Sequence, residues 1–194
     1  RDDVVEIAPG AFASFGGTLK LQGSFQSLQT IGEFAFTVAN ATEMSRKSTI
    51  IFGENSLPVL VEIGFSAFAG FPGEVQFIGS TFPQLKVIGY FAFNGNTITH
   101  AKLGCACSVI ELHGLESLET LGHSAFADFA GTVLFKGPMP SLEVIQRDAF
   151  KRVSKESVID IYDLFSLETI GQSAFAETAA LIQIRGAMPS LATI

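Results

Sequence analysis

The dipeptide Ala-Phe returns at Ala11-Phe12, Ala35-Phe36, Ala67-Phe68, Ala92-Phe93, Ala125-Phe126, Ala149-Phe150 and Ala174-Phe175, with Phe-to-Phe steps of 24, 32, 25, 33, 24 and 25 residues. An apolar pair fixed at this period constrains the chain to a solenoid. One unit is too short to enclose a core, so each must bury its open face against the next. Eight and five residues before each Phe stand two further apolar residues: Val4 and Ile7, Leu28 and Ile31, Leu60 and Ile63, Leu85 and Ile88, Leu118 and Leu121, Leu142 and Ile145, Leu167 and Ile170. Leu191-Ala192-Thr193-Ile194 opens an eighth unit in the same frame. The expected organisation is a single array over residues 1–194, of about seven tandem 24–25-residue repeats plus a partial eighth. The frame implies membership of a longer array, or a separate cap.

After each Ala-Phe pair comes a short alternating segment that closes on Gly, as in Leu19-Lys20-Leu21-Gln22-Gly23, Val75-Gln76-Phe77-Ile78-Gly79, Val133-Leu134-Phe135-Lys136-Gly137 and Ile182-Gln183-Ile184-Arg185-Gly186. Ile110-Glu111-Leu112-His113-Gly114 and Ile159-Asp160-Ile161-Tyr162-Asp163 follow the same plan, the latter with Asp in the Gly place, a residue that tolerates left-handed backbone. Alternation of this kind predicts half-buried strands stacked in parallel. Gly32, Gly64, Gly89, Gly122 and Gly171 follow the Ile or Leu of the frame and are expected to form a second tight corner. The Ala-Phe segment itself is expected to be a short helical or irregular turn with Phe inward. The extra residues of the two long steps predict insertions near 37–49 and 94–108, placed as loops on one face. The expected fold is therefore a β-rich right-handed superhelix of parallel short strands.

With 47% hydrophobic residues the chain has ample material for a core, and 19 acidic against 12 basic residues give a formal net charge of −7. That balance argues against nucleic acid or anionic lipid as partner, since both require a basic face. Gly, Glu or Ser interrupts every apolar run well short of the roughly 18–20 residues of a membrane span. The only two cysteines, Cys105 and Cys107, provide no disulfide framework.

The frame Leu-x-x-Ile-Gly-x-x-Ala-Phe, as in Leu118-Glu119-Thr120-Leu121-Gly122-His123-Ser124-Ala125-Phe126, resembles the BspA-like (type 5) leucine-rich repeats. So does the short apolar strand that follows. Units of that family usually carry Cys three residues after the Phe, where this chain has Phe15, Ala39, Phe71, Asn96, Phe129, Val153 and Thr178. The lead-ins Met139-Pro140-Ser141-Leu142 and Met188-Pro189-Ser190-Leu191 also resemble, more weakly, receptor L-domain repeats. The resemblance implies a leucine-rich-repeat solenoid used at the cell surface or outside the cell for adhesion, host contact or ligand capture.

Outward strand positions are the expected ligand face of such a solenoid. One column reads Lys20, Gln76, Glu111, Leu134, Asp160 and Gln183; the next reads Gln22, Ile78, His113, Lys136, Tyr162 and Arg185. Lys20, Gln76, Glu111, His113, Lys136, Asp160, Tyr162 and Arg185 are the candidate ligand-binding residues, against the alternative of an ordinary solvated face. Glu119, Glu143 and Glu168 hold one position in three successive coils. A solvated ladder is favoured there over a cation site, because hard cations take six or more converging oxygens. Cys105, Cys107 and His113 lack a fourth ligand and the spacing of a zinc site, so no metal or cofactor is expected. Asn40-Ala41-Thr42 fits a glycosylation acceptor within the first insertion. Phe65 and Tyr90 share a position in adjacent coils, and Phe34 and Phe91 share another. They form either a protein interface or an extension of the core.

No phosphate loop, nucleophile elbow or His-Glu-x-x-His motif occurs, so no catalytic residue is assigned. The expected function is a non-enzymatic recognition or adhesion module for a protein or glycan ligand, at the cell surface or outside the cell. The alternative is a structural building block that self-assembles with neighbouring copies.

Overall fold

A computed structural model describes residues 3–21, 25–38, 48–53, 57–71, 73–77, 79–95, 109–129 and 131–194. The strands, in chain order, are β1 (Glu6–Ile7), β2 (Thr18–Leu21), β3 (Thr30–Ile31), β4 (Thr49–Phe52), β5 (Glu62–Ile63), β6 (Glu74–Phe77), β7 (Val87–Ile88), β8 (Val109–Leu112), β9 (Thr120–Leu121), β10 (Thr132–Pro138), β11 (Val144–Ile145), β12 (Val158–Tyr162), β13 (Thr169–Ile170) and β14 (Leu181–Arg185). The chain is a parallel β-solenoid. The two-residue strands form one seven-stranded sheet, β1-β3-β5-β7-β9-β11-β13, which Thr193 extends by a parallel bridge to Thr169. The longer strands form two sheets, β2-β4-β6 and β8-β10-β12-β14.

The core lies between these sheets and is built in columns. The frame residues Leu28, Ile31, Leu60, Ile63, Leu85, Ile88, Leu118, Leu121, Leu142 and Ile145 are all inaccessible to solvent. Phe12, Phe36, Phe68, Phe93, Phe126, Phe150 and Phe175 stack in one column, with ring centroids 4.9–5.5 Å apart and planes within 9° of parallel. A further apolar column three residues before the frame Leu, Leu57, Phe82, Leu115, Met139 and Leu164, is also fully buried.

The Ala-Phe segment is a run of tight turns, not a helix, and it is as regularly bonded as the strands. Within a coil the Ala N–H donates back three residues, as from Ala67 to the Gly64 carbonyl at 3.3 Å. Between coils the Phe N–H donates to the Ala carbonyl of the next, as from Phe36 to Ala67, Phe68 to Ala92 and Phe93 to Ala125, each at 2.7 Å. This geometry requires left-handed backbone just before Ala-Phe in every coil, with φ between 51° and 66° at Gly10, Phe34, Ser66, Phe91, Ser124, Asp148 and Ser173. Asp163 also adopts φ 56°, as expected of Asp in a Gly place.

The glycines after the frame Ile or Leu serve a purpose other than the expected one. None of Gly32, Gly64, Gly89, Gly122 and Gly171 has positive φ. A Cβ on Gly122 would lie 2.6 Å from the Gly89 carbonyl carbon, and one on Gly171 would lie 2.5 Å from the Arg147 nitrogen. These positions are glycine because adjacent coils touch there backbone to backbone, not because a corner needs unusual torsions. Gln146 stands in this place in one coil, and the Phe126–Phe150 and Phe150–Phe175 rungs beside it are the widest of the stack, at 5.3 and 5.5 Å.

The strands differ from the expected pattern at two places. Thr49–Phe52 is a full strand, paired Lys20 to Ile51 and Ile51 to Gln76, although the sequence pattern did not single it out. Outward-facing Ile51 hides the alternation there. Between β10 and β12 the register differs by two residues: Lys136 pairs with Asp160 and Pro138 with Tyr162, so Lys136 and Tyr162 belong to different columns. Aligning the strands on their closing Gly or Asp is right for β12 and β14, where Asp160 meets Gln183 and Tyr162 meets Arg185, but fails for β10.

Phe126→Ala should lower stability by about 3–5 kcal/mol, because it opens a cavity between coils that have no independent core. Thermal melts against Lys136→Ala as surface control check this, and equal shifts would refute the role of Phe126 as a buried rung. Gly122→Ala should cost about 2 kcal/mol by forcing two coils apart. An unchanged melting temperature would show that the coils do not touch at that point.

Candidate functional site

The outer face of the β8–β14 sheet is defined by strand register. Side chains alternate, so Val133, Phe135, Ile159 and Ile161 point into the core and their neighbours point out. The first outward column is Glu111, Leu134, Val158 and Leu181. Beside it run Lys136, Asp160 and Gln183, then Pro138, Tyr162 and Arg185. The face thus grades from an apolar column, ending in Leu181 at 53% exposure, through a charged one to a Tyr-Arg corner.

At that corner the Arg185 guanidinium donates from Nη2 to Asp160 Oδ1 and Oδ2 at 2.7 and 2.9 Å and lies 5.1 Å from the Tyr162 ring centre. A bidentate carboxylate and a ring beneath it hold the cation in one orientation while it stays exposed. Lys136 is half-buried in the column of Asp160. Glu111 and His113 extend from β8 on the same side, with His113 Nε2 3.8 Å from Glu111 Oε2. These candidates, Glu111, His113, Lys136, Asp160, Tyr162 and Arg185, are brought onto one face. Lys20 and Gln76 belong to the other sheet, separated by Ile51. Gln76 meets Glu111 at the break between the two sheets, where a cleft of about 330 Å³ is lined by Gln76, Phe77, Gly79, Val109 and Glu111. Val158, Leu181 and Pro138 on the β8–β14 face were not singled out from sequence. Counting from Phe126 and Phe150, which places Phe135 and Ile159 alike nine residues on, would have revealed the first pairing.

The remaining candidates distribute elsewhere. Glu119, Glu143 and Glu168 do stack, through Glu143 and Glu168 N–H groups that donate to the preceding Glu carbonyl at 2.9 and 2.8 Å. Lys86 heads the column, and its Nζ donates to Glu119 Oε1 at 2.8 Å. That hydrogen bond, with the carboxylate's charge, raises the Lys86 pKa above its ordinary value. Among the described residues no cluster of three His, Cys, Asp or Glu side chains is placed to hold a metal ion. Asn40, Gln22, Ile78, Cys105 and Cys107, and most of both expected insertions, lie outside the described residues. On the opposite margin, Asp128, Arg152 and Glu177 form a column of alternating charge, with Arg152 Nη2 to Asp128 Oδ2 at 2.6 Å and Nη1 to Glu177 Oε1 at 3.8 Å.

The aromatics outside the frame form a ladder along the turn edge. Phe34 and Phe65 meet edge to face at 5.0 Å, Phe65 and Phe91 at 5.9 Å, and Phe91 and His123 at 5.1 Å. Phe34 and Tyr90 are 42% and 46% exposed, and Phe65 and Phe91 are half-buried, so the ladder is a surface feature and not an extension of the core. Phe34 and Phe91 sit at φ 55° and 57°, left-handed backbone that costs a residue with a Cβ about 1–2 kcal/mol.

Among the described residues no helix is long and apolar enough to cross a membrane. A search of curated proteins and a search of solved structures each gave no significant match. The family model of the BspA type leucine rich repeat region matches residues 62–193 in six copies. Repeats of this type serve in general as protein-interaction or adhesion modules and not as catalysts, and the proteins that carry them are commonly found at the cell surface or outside the cell. Matched over well more than half its length, the chain belongs to the BspA-type leucine-rich repeat family.

Proposed function

We propose that this chain is an extracellular or cell-surface recognition module that binds a protein or glycan partner across the outer face of the β8–β14 sheet. The observation that carries the reading is the graded face itself. An apolar column of Leu134, Val158 and Leu181 lies beside the charged column of Lys136 and Asp160, with Arg185 fixed over Tyr162 at its corner. Tyr and Arg are the residue types that concentrate binding energy at interfaces, and an orientation fixed before contact lowers the entropy lost on binding. Backbones about 5 Å apart make the columns a continuous platform across which a polypeptide or glycan chain can lie. Glu111 and Gln76 extend it to the cleft at the sheet break.

The test reverses the pattern of charge without breaking the ion pair. A chain carrying Glu111→Lys, Asp160→Lys and Arg185→Glu keeps opposite charges at 160 and 185; the exposed changes at 111 and 185 should shift stability by about 0.5 kcal/mol or less each, and the one at half-buried Asp160 by about 1 kcal/mol. Beside wild type in a pull-down from a native surface or matrix fraction, the variant should recover markedly less partner at nearly unchanged melting temperature. Equal recovery of the same partners would remove this face from consideration.

A further inference from the structure

The aromatic ladder on the turn edge lies apart from the β8–β14 face and carries a second, independent inference. Its backbone makes the ladder unusual: the left-handed position that holds Phe34 and Phe91 is occupied by Ser66, Ser124 and Ser173 in three other coils. The fold therefore does not need a ring there. Phe is a strained choice at this position, and it adds exposed apolar surface of the kind that marks an interface.

The neighbouring column supplies the partner. In five successive coils it reads Glu33, Phe65, Tyr90, His123 and Arg147. The carboxylate end is exposed and makes no ion pair among the described residues. At the other end Arg147 is 64% exposed and donates to Asp148 only through Nε, among the described residues. Asp148 is itself buried and is shared with Lys151, whose Nζ lies 3.5 Å from its Oδ1, so two cations face one carboxylate at this end. The column is thus negative at one end, aromatic in the middle and positive at the other.

We propose that this edge is the contact surface of a two-fold dimer of the chain, with the axis through the coil of Tyr90 and Phe91. Rotation about that axis lays the columns antiparallel, so Glu33 faces Arg147 of the other copy at both ends, Phe65 faces His123, and Tyr90 and Phe91 meet their own counterparts. A two-fold contact must be self-complementary, and this order of charges satisfies that condition only in the antiparallel arrangement. The strip spans four coil steps, on the order of 20 Å. A strip of that length falls short of a standard interface of roughly 800 Å² per partner, so a weak, reversible dimer is expected, to be sampled over about 1–100 μM.

Sedimentation velocity of the 194-residue chain over that concentration range tests the arrangement. Wild type should show a concentration-dependent rise towards twice the chain mass. Phe91→Ser, which installs the residue that three other coils carry, should remain monomeric and melt no lower than wild type. Glu33→Arg and Arg147→Glu alone should each weaken dimerisation on the order of tenfold, and the two together should restore it. A wild type that stays monomeric throughout overturns the proposal, and so does a dimer that survives Phe91→Ser. Failure of the double reversal to recover association overturns it as well, and leaves the strip to a different protein or a glycan.

Discussion

The spacing of one coil upon the next is the constraint from which the rest follows. Backbone hydrogen bonds between parallel segments fix it near 5 Å, and this chain makes them in the strands and equally through the turns that carry Ala-Phe. At that separation flat rings can stack almost face to face, as the Phe column does at 4.9–5.5 Å. Where two coils meet backbone to backbone, as at Gly89 and Gly122, a Cβ would collide with the neighbouring coil. In the five coils between the first and the last, the Ala before Phe is buried as well: Ala35, Ala67, Ala92, Ala125 and Ala149 are inaccessible. One distance thus selects the Phe, the Ala and the Gly of the motif together.

Much of this was legible in the sequence because the constraint repeats. Seven copies of Ala-Phe in frame establish the solenoid and its inward residues without further assumptions. The same motif misleads where geometry, not residue type, decides. Glycine after Ile reads as a flexible corner, yet its φ is ordinary and its role is close approach. The two-residue offset between β10 and β12 leaves every residue on its proper face, since an even shift preserves alternation. Hydrophobic pattern therefore carried no signal against the wrong alignment. Thr49–Phe52 escaped notice because outward Ile51 removes the polar half of the alternation.

Legibility of the candidate surface was poorer for a related reason. Interior columns are constrained by contact with two neighbouring coils, whereas outer columns are constrained mainly by what they meet. The sequence identified Asp160, Tyr162 and Arg185 as outward residues, but their joining into one ion pair over a ring depends on register. Similarly, exposed Phe34 is indistinguishable by residue type from the buried Phe36 two positions later. Their places inside and outside the Ala-Phe frame separate them, and so does the left-handed backbone at Phe34. A solenoid of this kind holds its coils by a common set of contacts and leaves its edges free to vary, which suits a family of interaction modules.

The Ala-Phe turns are ladder elements that bind coil to coil, not loops hung on a β-sheet. Hydrogen exchange of individual backbone amides in the whole chain tests it most directly. The amides of Phe36, Phe68, Phe93 and Phe126, each donating to the next coil, should be protected as strongly as interior strand amides such as Phe135. Protection should decline only towards Phe12 and Phe175 at the two ends. Exchange of the Phe amides at the rate of open loops, beside protected strands, would show that the turns do not hold the coils together.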